Sequence, residues 1–275
     1  MDEIKRAIER AKSGGAGTTT AVREHVATPV PALGMQAAAA AQKATMMHVD
    51  RSALEKARIV AHLPGTPPSN HFDLLRTRVL QHMWSNGMKT LAITSPTPGC
   101  GKTVTAINLA ISMARLDSGH TTLVDLDLRK PQVANYLSIR PRYGVYDALS
   151  RRVPLGEALI SIDIAGEWLS ILPTIVPAQH PSETIGSQDM KQLVKDLSDR
   201  HEKGVVIFDM PPLLFADDLI SFIPNVDAVL LIAASGQTTD TELSECLRMI
   251  PEAKLAGVVL TKSEEKQRTG YYGYY

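Results

Sequence analysis

Apolar residues along this chain fall into two kinds of pattern. Short continuous runs, Leu91–Ser95, Thr121–Asp125, Leu169–Pro173, Val205–Asp209, Asp227–Ala233 and Leu255–Leu260, read as strands buried on both faces. Between them, Lys102–Leu116, Asp189–His201 and Thr239–Met249 carry apolar positions at helical spacing. A further face, Phe72, Leu75, Val79 and Met83, predicts a helix ahead of the first strand. Strands alternating with helices predict an α/β fold: a doubly wound, mostly parallel sheet with helices on both faces. Toward the N-terminus the pattern fades. Met1–Lys12 reads as a short amphipathic helix, and 13–47 is Gly, Ala, Thr and Pro with few large apolar side chains. Such composition buries too little surface to offset ordering entropy. With 50–68 read as semi-ordered, residues 1–68 are expected to form a flexible arm and linker, 69–263 the folded domain and 264–275 a tail.

Composition narrows the function classes. The chain has 275 residues, 44% of them hydrophobic, and its 29 basic and 29 acidic residues cancel. A neutral chain lacks the basic face that general nucleic-acid binding requires, so no nucleic-acid partner is expected. Two unpaired-looking cysteines, Cys100 and Cys246, and no leader pattern point to a reduced, cytoplasmic setting. The longest apolar run, Ala228–Ala234, is far shorter than the roughly 20 residues of a membrane span, so any membrane role is expected to come through a partner.

The chemistry sits where strands end. Residues 96–103 read Pro-Thr-Pro-Gly-Cys-Gly-Lys-Thr between a strand and a helix. Glycines there let backbone N–H groups converge on phosphate, and the following helix turns its positive end to the same anion. The pattern matches G-x-x-x-x-G-K-[ST] except at its first position, where Pro96 stands. Lys102 is placed to reach the β- and γ-phosphates and Thr103 to ligate Mg²⁺. The ATP-contacting set is read as Pro98, Gly99, Cys100, Gly101, Lys102, Thr103 and Val104. Two further strands end in acids: Asp125 and Asp127 in Val-Asp-Leu-Asp-Leu-Arg-Lys-Pro, and Asp209 in Phe-Asp-Met-Pro-Pro. One such acid alone is an ordinary strand-end turn. Three beside a Gly-Lys-Thr loop read as metal-holding and base functions, because Mg²⁺ prefers few carboxylates plus phosphate oxygens.

The order and spacing of these three motifs, followed by a terminal tyrosine cluster, resemble the bacterial tyrosine kinases, cytoplasmic autokinases of capsule and exopolysaccharide export, over about residues 70–275. The resemblance implies catalytic roles for Lys102, Asp125 and Asp127, and metal contacts from Thr103, Asp125 and Asp209. Asp125 is the preferred acceptor of the phenol proton, with Asp127 equally placeable. Tyr271, Tyr272, Tyr274 and Tyr275, four of the last five residues, become the phosphoacceptors. ATP and Mg²⁺ are the implied cofactors. The implied partners are further copies of the chain, phosphorylated in trans, and a membrane-embedded polysaccharide chain-length regulator that recruits the protein to the inner face of the plasma membrane. Three positions depart from the family pattern. Cys100 stands where an acidic residue is common beside the phosphates. Asn70, Asp73 and Arg76 keep only part of a Glu-x-x-Arg-x-x-Arg assembly motif. Thr261-Lys262 replaces Leu-Asn at the base site, leaving Thr261 for a weaker base contact. Two rival readings are a partition-type ATPase without protein kinase activity, against which Thr97 stands in place of a signature lysine, and a degenerate nucleotide-sensing scaffold.

Overall fold

The computed structural model describes residues 45–116, 120–164 and 166–263. The helix expected over 1–12 and the tail tyrosines lie outside the described residues. In chain order the elements are β1 (Thr45–His48), α1 (Arg51–Lys56), α2 (Pro67–Ser85), β2 (Thr90–Thr94), α3 (Lys102–Ala114), β3 (Thr121–Asp125), α4 (Val133–Tyr136), α5 (Val145–Leu149) and α6 (Leu155–Ala158). There follow β4 (Ile160–Ile164), β5 (Glu167–Leu172), α7 (Pro181–Ile185), α8 (Gln188–Ser198), β6 (Val205–Asp209), α9 (Asp218–Phe222), β7 (Ala228–Ala234), α10 (Asp240–Met249) and β8 (Leu255–Thr261).

The eight strands form one sheet in the order β1-β4-β5-β3-β6-β2-β7-β8. Every neighbouring pair is parallel except β4 and β5, which are antiparallel. The continuous apolar runs are explained by a division with period two. Leu91, Ile93, Leu123, Ile207, Leu230 and Ile232 enter one core cluster with Val79 and Met83 of α2 and Ile107 and Ile111 of α3. Their alternates Ala92, Val124, Val206, Phe208, Val229 and Leu231 enter a second cluster with Met190 and Leu197 of α8, Phe222 of α9 and Cys246 of α10. Successive strand side chains point to opposite faces, and helices cover both faces of the central strands, so apolar residues fill both sets of alternating positions there.

The N-terminal boundary differs from the expectation. Residues 45–68 are not a flexible linker: β1 pairs in parallel with β4, and Leu54, Ile59 and Ala61 are fully buried. Asn108, buried in α3, holds this segment. Its Oδ1 accepts from Val60 N at 2.7 Å and Ala61 N at 2.9 Å, while its Nδ2 donates to Arg58 O at 3.0 Å and Val104 O at 2.8 Å. Asn70, Asp73 and Arg76 lie on α2. Arg76 Nη1 donates to Asp73 Oδ1 at 3.2 Å and Ser112 O at 3.0 Å, and Arg115 Nη1 adds a 3.1 Å bond to the same Asp73 oxygen. Asp73 and Arg76 thus join α2 to the end of α3 within the chain.

Candidate active site: a phosphate loop and three strand-end carboxylates

The sheet's register assembles the site. Ile93 near the end of β2 and Asp125 at the end of β3 both stand opposite Asp209 of β6, so three strand ends open on one place. The loop after β2 then needs left-handed backbone to fold over the start of α3. Gly99 (φ 82°) and Gly101 (φ 92°) supply it at little steric expense, and Gly101 caps the helix. The segment after β6 runs beside this loop: Leu213 N donates to Ser95 O at 2.8 Å and Leu214 N to Pro96 O at 3.2 Å. Pro96, at the place of the usual first glycine, still serves as a backbone acceptor.

Lys102, Thr103, Asp127 and Asp209 converge. Lys102 Nζ lies 2.8 Å from Asp127 Oδ2, 3.5 Å from Asp209 Oδ1 and 3.4 Å from Thr103 Oγ1. Thr103 Oγ1 donates to Asp209 Oδ2 at 2.6 Å. Burial pulls the Lys102 pKa down, but Asp209 and Asp127 outweigh it and hold the ammonium above its ordinary range. Burial pushes the Asp209 carboxyl up against the pull of Lys102, and it pushes Asp125 well up, aided by Asp209 across the ladder. One cation thus balances three acids that are almost entirely buried.

Asp125 is enclosed by the turn that follows it. Its Oδ2 accepts from Gln132 N and Val133 N, both at 2.9 Å, and its Oδ1 from Asp127 N at 3.3 Å. Engaged by three backbone amides and fully buried, it shapes the turn that presents Asp127 and starts α4. Asp127 instead meets Lys102 directly, at 2.8 Å. The Cys100 thiol is fully buried between the hydroxyls of Thr97 (3.5 Å) and Thr238 (3.6 Å). The Thr261 hydroxyl donates to Cys100 O at 2.6 Å and so braces the loop. Pro98 contributes its carbonyl to Gln237 Nε2 at 2.8 Å, and Lys262 Nζ reaches Gln237 Oε1 at 2.8 Å. Val104 follows Thr103 in the first turn of α3.

Sequence reasoning missed Gln237 and the partners of Arg129. Arg129 Nε donates to Asp218 Oδ2 at 2.9 Å and its Nη2 to Asp218 Oδ1 at 3.2 Å and Ser182 Oγ at 3.1 Å. Asp218 is buried, so this fork holds the stretch after Asp127 against α9. The adjacent acids Asp217 and Asp218 after a Pro-Pro turn were the available signal, but nothing local names an arginine 89 residues away.

Among the described residues no three His, Cys, Asp or Glu side chains form a ready-made metal site. The donor set nonetheless suits Mg²⁺: a hydroxyl from Thr103 and hard carboxylate oxygens from Asp209, with room for phosphate oxygens and water to complete the shell.

A glycine-rich phosphate loop at a helix N-terminus, with acids at the ends of neighbouring parallel strands, defines a P-loop nucleotide-binding protein. No family model matches the chain. It is 28% identical over 215 residues to "Tyrosine-protein kinase YwqD" of Bacillus subtilis (strain 168), covering 76% of this chain and 88% of that one. It is 27% identical over 223 residues to "Succinoglycan biosynthesis transport protein ExoP" of Rhizobium meliloti (strain 1021), covering 78% of this chain but only 27% of that one. The solved kinase domain of the Escherichia coli tyrosine kinase ETK superposes with a TM-score of 0.69 at 25% identity, over 79% of this chain and 85% of that one. In fold, motif order and sequence the chain is similar to the bacterial tyrosine-protein kinases.

Proposed function

We propose that this chain is an ATP-dependent protein-tyrosine autokinase whose acceptors are Tyr271, Tyr272, Tyr274 and Tyr275, phosphorylated between copies of the chain. The observation that supports it best is the convergence of Lys102 with Asp127 and Asp209 around Thr103 at the mouth of the glycine loop. Without phosphate, Lys102 leans on Asp127. The triphosphate of ATP offers it a stronger partner, and the loop amides and the N-terminus of α3 take the remaining anionic oxygens. Drawing Lys102 away releases Asp127 Oδ2, while Oδ1 stays fixed by Lys130 N at 3.0 Å. The freed oxygen orients a tyrosine hydroxyl and takes its proton as the new phenol O–P bond forms and the bond to the β,γ-bridging oxygen breaks, releasing ADP. Thr103 and Asp209 would hold Mg²⁺, which would neutralise charge on the phosphates. Positioning and charge stabilisation carry most of the catalysis in phosphoryl transfer, and these side chains supply both.

The biological setting follows from the relatives' names. YwqD is named a tyrosine kinase and ExoP a polysaccharide transport protein, and the matched segment is about a quarter of ExoP. We infer that this chain regulates exopolysaccharide polymerisation or export together with a membrane-embedded chain-length regulator, which brings it to the inner membrane face. No helix among the described residues is long and apolar enough to cross a membrane.

The test is to incubate the purified chain with ATP and Mg²⁺ and map phosphotyrosine by mass spectrometry. Wild type is expected to carry phosphate on the tail, and both Lys102→Met and a chain lacking 264–275 are expected to carry none. ATP hydrolysis without phosphotyrosine would instead assign a partition-type ATPase, and binding without turnover a nucleotide sensor.

A further inference from the structure

Beside the catalytic strand lies a groove of about 570 Å³ that the phosphoryl-transfer chemistry leaves unused. One wall is the segment after β5, and two bonds pin that wall to the acidic motif: Thr174 Oγ1 donates to Asp125 O at 2.7 Å and Ala178 N to Leu128 O at 2.8 Å. The opposite wall is the start of α5, locked to the first by Val145 N donating to Pro173 O at 2.8 Å. A Cβ on Gly144 would come within 2.3 Å of that Pro173 oxygen, so only glycine permits this closure. The groove is therefore a fixed feature flanking Asp127.

Its lining is mixed in a specific way. Tyr146, Val176 and Pro177 offer ring-sized apolar contact, while Arg142 and Arg152 stand exposed at the edge. Arg142 stacks over the Tyr143 ring at 5.0 Å, which pre-orders its guanidinium. The charges that could offset the arginines are occupied. Asp147 accepts from Gly144 N at 3.1 Å and meets Arg152 only at 4.0 Å, a long pair that a phosphate would displace, while Glu183 lies 3.5 Å from His180 and no acid pairs with Arg142 among the described residues. Arginines beside an apolar slot are the chemistry that recognises an aromatic ring carrying phosphate.

We propose that this groove binds phosphotyrosine, and that its occupant is the already phosphorylated tail of a second copy of this chain. Distance supports the occupant. β5 lies one strand from β3 and three from β2, so the groove stands roughly 5–14 Å across the sheet from the transfer site at about 4.8 Å per strand. Tail tyrosines at 271, 272, 274 and 275 are one to four residues apart, a reach of up to about 14 Å in extended chain. A first phosphate held by Arg142 and Arg152 thus leaves a neighbouring tyrosine at Asp127. The groove makes successive phosphorylation of one tail faster than the first event. The identity of the occupant rests on the autokinase reading above; the groove's chemistry does not.

The test measures fluorescence anisotropy of a labelled peptide spanning residues 264–275, with or without phosphate on Tyr271, against the nucleotide-free full chain. Wild type is expected to bind the phosphorylated peptide at least about tenfold tighter than the unphosphorylated one, the scale of one charge-assisted hydrogen bond. Arg142→Ala/Arg152→Ala is expected to erase that preference while its ATP affinity and melting temperature stay unchanged. Lys102→Met is expected to retain it. Equal affinity of wild type for the two peptides overturns the proposal, as does a preference that survives the arginine substitutions. Loss of the preference in Lys102→Met also overturns it, since the phosphate would then sit in the ATP cradle. Because no ATP is present, these outcomes are independent of whether the chain makes phosphotyrosine.

Discussion

Asp125 and Asp127 stand two residues apart at one strand end, yet their surroundings separate them. Asp125 is filled by backbone amides, while Asp127 faces the ammonium of Lys102. Asp127→Asn is therefore expected to keep ATP binding and lower the rate of tail phosphorylation about 10²–10⁴-fold, the range for losing a positioned proton acceptor, as read by single-turnover assays. Asp125 shows itself in stability instead. Burial raises the carboxyls of Asp125 and Asp209 above the ordinary 3.8, so the folded chain keeps protons that the unfolded chain has already released. In that window the folded state binds more protons, and stability falls as pH rises from the ordinary carboxylate range through the raised values. Urea midpoints of the nucleotide-free chain are expected to rise on acidification from neutral pH toward that window, and Asp125→Asn to flatten the rise. A midpoint that only falls with acid would contradict this account of the buried carboxylates. Most of this site was legible beforehand, because each motif is a contiguous strand end. The division of labour between Asp125 and Asp127 was not, since it depends on which amides the turn through Gln132 and Val133 delivers.

At the level of elements, the central strands and α3, α8 and α10 follow their apolar patterns to within a few residues, because both sheet faces demand such runs. Two of the pieces that escaped are stabilised by partners distant in sequence. β1 is four residues with Met46 exposed, too short and too open to show a pattern, and it exists by pairing with β4. The segment through Ile59 and Ala61 has no periodicity; it is ordered by apolar burial and by Asn108 from across α3. Asn108→Ala is expected to orphan the Val60 and Ala61 amides and the Arg58 carbonyl and to destabilise the chain by about 2–4 kcal/mol. The loss should be read in urea unfolding, with hydrogen exchange quickened first at Val60 and Ala61. Exchange that stays slow there would place the segment's order elsewhere, in the packing of Leu54 and Ile59.

For the whole molecule, the sheet order places the phosphate loop centrally, with β3 and β6 supplying acids on one side and β7 and β8 bracing the loop on the other. The tail leaves from the end of β8, while Asp127 follows β3, four strands away across β7, β2 and β6, or roughly 19 Å at about 4.8 Å per strand. Eight residues from Ser263 to Tyr271 can span that distance, so reach alone does not decide between a chain phosphorylating itself and phosphorylating its neighbour. Mixing does. Lys102→Met keeps the tyrosines but loses the cradle, and a chain lacking 264–275 keeps the cradle but loses the tyrosines. Combined with ATP and Mg²⁺, the two are expected to yield phosphotyrosine on the Lys102→Met tail, at an initial rate per chain that rises with total protein concentration. Transfer confined to one chain predicts no phosphotyrosine in the mixture and a wild-type rate per chain independent of concentration, and either result would remove the exchange between copies on which successive tail phosphorylation depends.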